Sequence, residues 1–319
     1  MGNVTDLDWV AFRSHAHFAD VLDALPSCFR SPQHLQVVGT GKGWNGYKES
    51  RRLLYLGKPV GLVAWGGASM RGWCQTNLTG DAMDLIAGDT GETLTQLVED
   101  LRGQFKRVDI ARTTFDGSVS IQTVEKAHAE GGFCSGGRNP KMKRITSTCE
   151  TDGETCYIGK RDQPKFCRAY EKGWELVGMF GAALDARGMD VHSFLSDIRI
   201  NDALPKDIFR VEVEFKPDPE FFPPDILMNR DTYFAGAYPY LATLVQSDSQ
   251  PFKLTAERKA SATMDAALNQ VRRQFGDVLF TALMLHHGDM TGVWDKIVGK
   301  KHSRSLIEAG VLLAMEQTH

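Results

Sequence analysis

Residues 157–173, YIGKRDQPKFCRAYEKG, constrain the fold most. They read as two short strands joined by a charged connection, and the second strand alternates strictly. Side chains on a strand repeat with period two, so Phe166, Arg168, Tyr170 and Lys172 would leave the backbone on one face. A phenol between two cations is what an anion-directed tyrosine nucleophile needs, because the cations lower the cost of a phenolate and hold a phosphate beside it. The same pattern also suits an amphipathic edge strand with a solvated tyrosine. Alternation alone leaves both readings open.

At 319 residues the chain can bury a substantial core in one large or two smaller domains. A formal net charge of -3 excludes a globally basic nucleic-acid binder, so any such surface must be a local patch. Six cysteines are scattered without a CxxC pair, which argues against a zinc ribbon and for reduced thiols in a cytosol. The longest apolar runs, 60–64 and 279–285, are too short to span a bilayer, and the acidic N-terminus lacks a secretory pattern. A soluble, cytoplasmic protein is the expectation, with no membrane partner.

Residues 4–12 read as a first strand and 18–29 as an amphipathic helix. His15 and His17 lie between them and could share one cation, although a turn-like context favours ordinary surface histidines. The glycine-rich residues 39–47 lack the Lys-Ser/Thr pair of a phosphate-cradling loop and read as a hairpin connection. A hairpin over 47–65 turns at 56–59. Its tetrad 55–58 (YLGK) echoes 157–160 (YIGK), so an internally duplicated α+β unit is conceivable. A strand over 73–78 follows. Leu94, Leu97, Val98, Leu101 and Phe105 then mark a helix packing on a sheet.

In 106–117 Val108 and Ile110 take one strand face, with Asp109, Ala111 and Thr113 on the other. A carboxylate in mid-strand is either solvated or holding a cation. A helix over 121–130 ends at Gly131, and 135–144 (SGGRNPKMKR) reads as a loop. Arg138, Lys141, Lys143 and Arg144 there, with Lys160, Arg161 and Lys165 on the next hairpin, could form a polyanion-binding face. The alternative is solvated charge. Residues 174–187 read as a helix and 209–216 as the cleanest strand in the chain. Four prolines in 217–224 cannot continue a sheet, so the domain boundary is expected there. Helices are expected at 264–275, 278–286 and 303–315, with a basic junction at 296–304.

Four blocks in order, RVDIA at 107–111, YIGK at 157–160, RAYEKG at 168–173 and RVEVE at 210–214, carry a resemblance. Over about residues 40–220 the chain resembles the replication initiation factors of filamentous phages, akin to plasmid rolling-circle initiators of the Rep_trans type. That resemblance implies a sequence-specific DNA nickase acting through a 5′-phosphotyrosine intermediate and leaving a 3′-OH primer. It implies Tyr170 as nucleophile with Arg168 and Lys172 beside it, and Asp109 and Glu212 as ligands of Mg²⁺ or Mn²⁺. It also implies double-stranded origin DNA and single-stranded DNA as partners. Thr113 stands where family members often carry a second acid, with Asp116 close by.

The expected fold is α+β: an antiparallel-sheet nicking domain over 1–216 and a helical domain over 217–319. Origin recognition, a homodimer contact or recruitment of a host helicase are candidate roles for the latter. A non-catalytic DNA-binding protein with Tyr170 stacked on a base is the rival reading. A conjugative relaxase using His15 and His17 is a second.

Overall fold

The alternation over 209–215 becomes strand β10 (Phe209–Phe215). Phe209, Val211, Val213 and Phe215 turn into an apolar core, while Arg210, Glu212 and Glu214 take the opposite face. The computed structural model describes residues 3–135, 137–148, 152–185, 199–217, 222–245, 256–299 and 301.

Ten strands form one antiparallel sheet: β1 (Asp6–Ser14), β2 (Leu35–Gly39), β3 (Glu49–Tyr55), β4 (Lys58–Trp65), β5 (Cys74–Thr79), β6 (Gln104–Thr114), β7 (Met142–Ile145), β8 (Thr155–Ile158), β9 (Lys165–Tyr170) and β10. Their order is β2-β3-β4-β5-β1-β6-β10-β9-β8-β7. Helices α1 (Phe18–Ala24), α2 (Gly80–Met83), α3 (Thr90–Asp100), α4 (Ile121–Ala129), α5 (Lys172–Asp185), α6 (Arg230–Ala237) and α7 (Pro239–Ala242) complete this part. Apolar residues of α1, α3, α4 and α6 join Val10, Phe12, Val108, Ile110 and Val213 in one buried cluster. Asp89 caps α3 through Glu92 N, and Ser120 caps α4 in a reciprocal pair with Thr123. Proline at position 26 ends α1 early, and the rest of the expected helix winds as a 3₁₀ turn over Leu25–Cys28.

The topology repeats. β1-α1-β2-β3-β4-β5 and β6-α4-β7-β8-β9-β10 follow the same succession, apart from α5, which enters between β9 and β10. From the central β1–β6 pair outward each half places its first, fifth, fourth, third and second strand in that order. The two YxGK tetrads occupy equivalent hairpins, β3–β4 and β8–β9. Leu56, Gly57 and Gly159 there have φ of 49°, 82° and 90°. Those values suit glycine because a Cβ crowds the left-handed region.

The boundary expected at 216/217 falls elsewhere. The chain divides into two compact units, Met1–Phe252 and Lys253–His319. The prolines end the sheet but not the core, since Phe222, Ile226, Leu227, Phe234, Leu241 and Val245 beyond them are buried in the same cluster. Asp231 fastens this segment by accepting hydrogen bonds from the backbone N–H of Val4 and Thr5 at 2.8 and 2.9 Å.

In the second unit the helices expected at 264–275 and 278–286 are one, α8 (Ala256–Leu285), followed by α9 (Met290–Ile297). Gly276 does not break α8. The helix expected at 303–315 lies outside the described residues, as do residues 300 and 302–304 of the basic junction at 296–304. Among the described residues no helix is long and apolar enough to cross a membrane.

Candidate active site

Three strands carry the predicted site. β10 lies between β6 and β9, and its register aligns Arg210 with Thr113 and Tyr170, Glu212 with Ala111 and Arg168, and Glu214 with Asp109 and Phe166. Directly opposed residues share a face. Asp109, Glu212, Glu214, Arg168, Arg210 and Tyr170 therefore project from the same side of the sheet. Diagonal neighbours on such a face, as Asp109 and Glu212 are, lie roughly 7–8 Å apart.

The acids are buried: Asp109, Glu214 and Glu212 are 1%, 2% and 4% exposed. A buried carboxylate needs partners, and guanidinium groups supply them. Arg107 donates from Nε to Asp109 Oδ1 at 2.8 Å, and its Nη2 contacts both Asp109 Oδ2 and, at 2.9 Å, Glu214 Oε2. Arg168 Nη2 donates to Glu212 Oε2 at 2.6 Å, and Arg210 Nη1 to Asp8 Oδ1 at 2.5 Å. Lys216 pairs with Glu214, and Arg161 Nε lies 3.6 Å from it. Burial lifts the Asp109 carboxyl to about 7, against the pull of Arg107, with Glu212 and Glu214 adding to the rise. Burial raises Glu212 likewise, opposed first by Arg168.

Tyr170 is 8% exposed. Arg168 lies 4.8 Å and Lys172 5.8 Å from its ring centroid. Arg168 favours the phenolate as expected, but the net shift runs the other way. Burial dominates and holds the phenol proton more tightly than in water, with Arg210 and Arg168 opposing and Glu212 reinforcing. Lys172 is not on the strand either, because β9 ends at Tyr170 and Lys172 opens α5, paired with Glu175 at 2.6 Å.

A family model described as replication initiation factor (Rep_trans) matches residues 103–298, more than half of the chain. The chain belongs to that family. The match takes in Asp109, Tyr170 and Glu212 and starts later than the stretch over which the four blocks suggested it, leaving the first 102 residues outside. The chain is also similar to a solved rolling circle replication initiator protein from Geobacillus stearothermophilus, at 20% identity and TM-score 0.49, covering 80% of this chain and 89% of that one. No curated protein matches.

The cations expected on a DNA face separate in this chain. Lys143 pairs in register with Tyr157, which opposes Arg168, so both share the Tyr170 face. Arg138, Lys141, Lys160 and Arg161 are exposed around the β8–β9 end of the sheet. Arg144 takes the other face, bound to Glu125 at 3.1 Å and Glu154 at 2.5 Å. Lys165 also turns to the helical side, where it donates to Ser135 Oγ at 2.8 Å and to the Ala237 carbonyl. Burial there lowers its pKa to about 8. Neither is a free phosphate contact.

Arg107, Arg210, Glu214 and Asp8 belong to the site and were not singled out from sequence. Arg210 and Glu214 were visible only as the wet half of an alternating strand. His17 accepts from Ala19 N at 3.3 Å as the cap of α1, and His15 stacks on Trp73. Asp116 is exposed in a turn with Ser118, so it does not substitute for an acid at Thr113. Among the described residues no three His, Cys, Asp or Glu side chains come together as a metal-binding set.

Proposed function

We propose that the protein is a rolling-circle replication initiator that nicks one DNA strand through Tyr170. The single observation that supports this reading is the register of β6, β10 and β9, which gives one phenol, three carboxylates and three guanidinium groups a common face.

The Tyr170 oxygen would attack a backbone phosphorus, the P–O3′ bond would break, and the 3′ oxygen would leave as the primer hydroxyl. The energy of the broken bond is kept in the tyrosine–phosphate link, so rejoining needs no nucleotide triphosphate. Such a displacement demands positioning and charge neutralisation above all. Arg168 and Arg210 flank the phenol and would hold the phosphate and ease loss of the phenol proton. Asp109 and Glu212 would offer carboxylate oxygens of the kind Mg²⁺ or Mn²⁺ takes, as a pair rather than a three-ligand set, and desolvated acids that raise one another's proton affinity favour added positive charge. Bound there, a dication would polarise the phosphoryl oxygens. Arg107 would have to yield one carboxylate to admit it.

Supercoiled DNA carrying the cognate origin, incubated with the protein and Mg²⁺ or Mn²⁺, tests the reading. A relaxed product joined to a protease-sensitive adduct supports it. Retardation without relaxation would favour a non-catalytic binder.

A further inference from the structure

Asp8 sits where β1 loses its regular pairing. Leu7 opposes Ile110 and Trp9 opposes Asp109, so Asp8 is an extra residue without a partner on β6. The core records the same irregularity. Leu7 and Val10 are both buried in it, although residues three apart on a regular strand point to opposite faces. In an unbroken strand Asp8 would share the side of Val10. A bulge re-aims a side chain, and here it brings the carboxylate to the face of Tyr170, where Oδ1 accepts from Arg210 Nη1 at 2.5 Å. Gly80, which opens α2, leaves the space for it. A Cβ there would lie 2.9 Å from Asp8 Oδ1 and 3.1 Å from the Asp8 carbonyl oxygen.

Arg210 is held at a second point. Its Nε donates to Thr113 Oγ1 at 2.9 Å. Thr113 opposes Arg210 across β6 and β10, and Tyr170 opposes it across β10 and β9. The guanidinium is therefore fastened from β1 and β6 while Tyr170 stands on its other side. Fixing Nε and Nη1 of a planar, rigid fork also fixes where Nη2 points. Nη2 itself donates to no other described residue. Burial raises the Tyr170 pKa, and Arg210 is the charge that opposes this most, ahead of Arg168.

We infer that Asp8 is a positioning residue for the nicking reaction: from the bulge in β1, and together with Thr113, it fixes the guanidinium of Arg210 so that Nη2 is left for the DNA phosphate at Tyr170. This rests on the nickase reading above. Charge stabilisation in a displacement depends on donors that are already aimed before the reaction begins. A free arginine side chain has many rotamers, and two anchors remove them. Asp8 precedes residue 103, so the site takes a working group from outside the stretch that the family model matches.

Single-turnover adduct formation by the full chain, on supercoiled DNA carrying the cognate origin with Mg²⁺ or Mn²⁺, tests the assignment. Varying the protein concentration separates the maximal rate constant from the half-saturating concentration, and the amplitude reports the folded fraction. Asp8→Asn keeps the shape of the side chain and should lower the maximal rate constant roughly ten- to a hundredfold, because a small misplacement costs that much. Half-saturation and amplitude should stay close to wild type. Thr113→Val should give a smaller loss of the same kind. Arg210→Gln should lose at least as much as Asp8→Asn, and adding Asp8→Asn to it should lower the rate no further, since residues acting as one unit are not additive.

An unchanged rate constant in Asp8→Asn would overturn the inference. So would losses that multiply in the double variant, because Asp8 would then act without Arg210. A loss confined to amplitude would reduce Asp8 to packing, and a raised Mg²⁺ or Mn²⁺ requirement in place of the rate loss would put it at the dication instead. Each of these outcomes leaves an active wild type and the nickase reading intact. A wild-type chain that forms no adduct would remove that reading itself.

Discussion

Arg168 and Glu212 face each other across β9 and β10, Nη2 to Oε2 at 2.6 Å, with the carboxylate 4% exposed. Removing one partner of such a pair leaves a buried charge uncompensated. Arg168→Ala should cost about 3–5 kcal/mol by chemical denaturation. Arg168→Met with Glu212→Leu should recover most of that stability while abolishing nicking.

Tyr170→Phe keeps the ring and its packing and removes only the hydroxyl. The covalent adduct should vanish while the denaturation midpoint and duplex affinity stay within a few-fold. If the adduct persists, the nucleophile lies elsewhere, and Tyr157 on the same face is the next residue to replace.

Asp109 should give stability a pH dependence of defined sign. Its pKa is about 7 folded against 3.8 for the free group, so folding takes up a proton between those values. Its contribution is therefore greatest below pH 3.8 and declines as pH rises toward about 7. Asp109→Asn should flatten that part of a stability-against-pH curve. With Mg²⁺ or Mn²⁺, wild-type nicking should fall as pH drops below 7, and added metal should move the midpoint lower, because proton and dication compete.

Lys165 should behave in the opposite sense. Burial lowers its pKa from 10.5 to about 8, so the folded chain holds fewer protons over that interval and stability rises with pH across it. Lys165→Met should remove the rise and leave DNA binding unaltered, whereas Lys143→Ala should weaken it. Equal losses from both would mean that Lys165 reaches the DNA after all.

Gly173 follows the Tyr170–Lys172 junction, and a Cβ there would meet the Pro205 carbonyl oxygen at 1.9 Å. Gly173→Ala should destabilise by about 1–3 kcal/mol through overpacking. It should also lower nicking beyond what the stability loss explains, because the end of β9 would shift. Calorimetry alongside adduct yield separates the two effects.

Much of this was legible in the chain. Period-two alternation gave β9 and β10, and the side of Val211 and Val213 predicted the side of Glu212. The YxGK echo pointed to the duplication, because a tight hairpin needs the same residues wherever it recurs. Cross-strand register was not legible, and register decides that Glu214 faces Asp109 and that Arg168 faces Glu212. Nor could local charge reveal that burial outweighs Arg210 and Arg168 at Tyr170, since burial depends on strands distant in sequence. Prolines at 217–224 ended the sheet as expected, yet the apolar residues after them return to the core.

The pairing of β1 with β6 has a practical consequence for dissecting the protein. Cutting the chain before residue 103, where the family match begins, would strip the hydrogen-bonding edge of β6 and uncover Val108 and Ile110, both now fully buried. Exposed apolar edges recruit other chains. A fragment trimmed to the recognisable region would thus be prone to self-association, and an inactive, aggregated preparation of it would say nothing about the chemistry of the intact molecule.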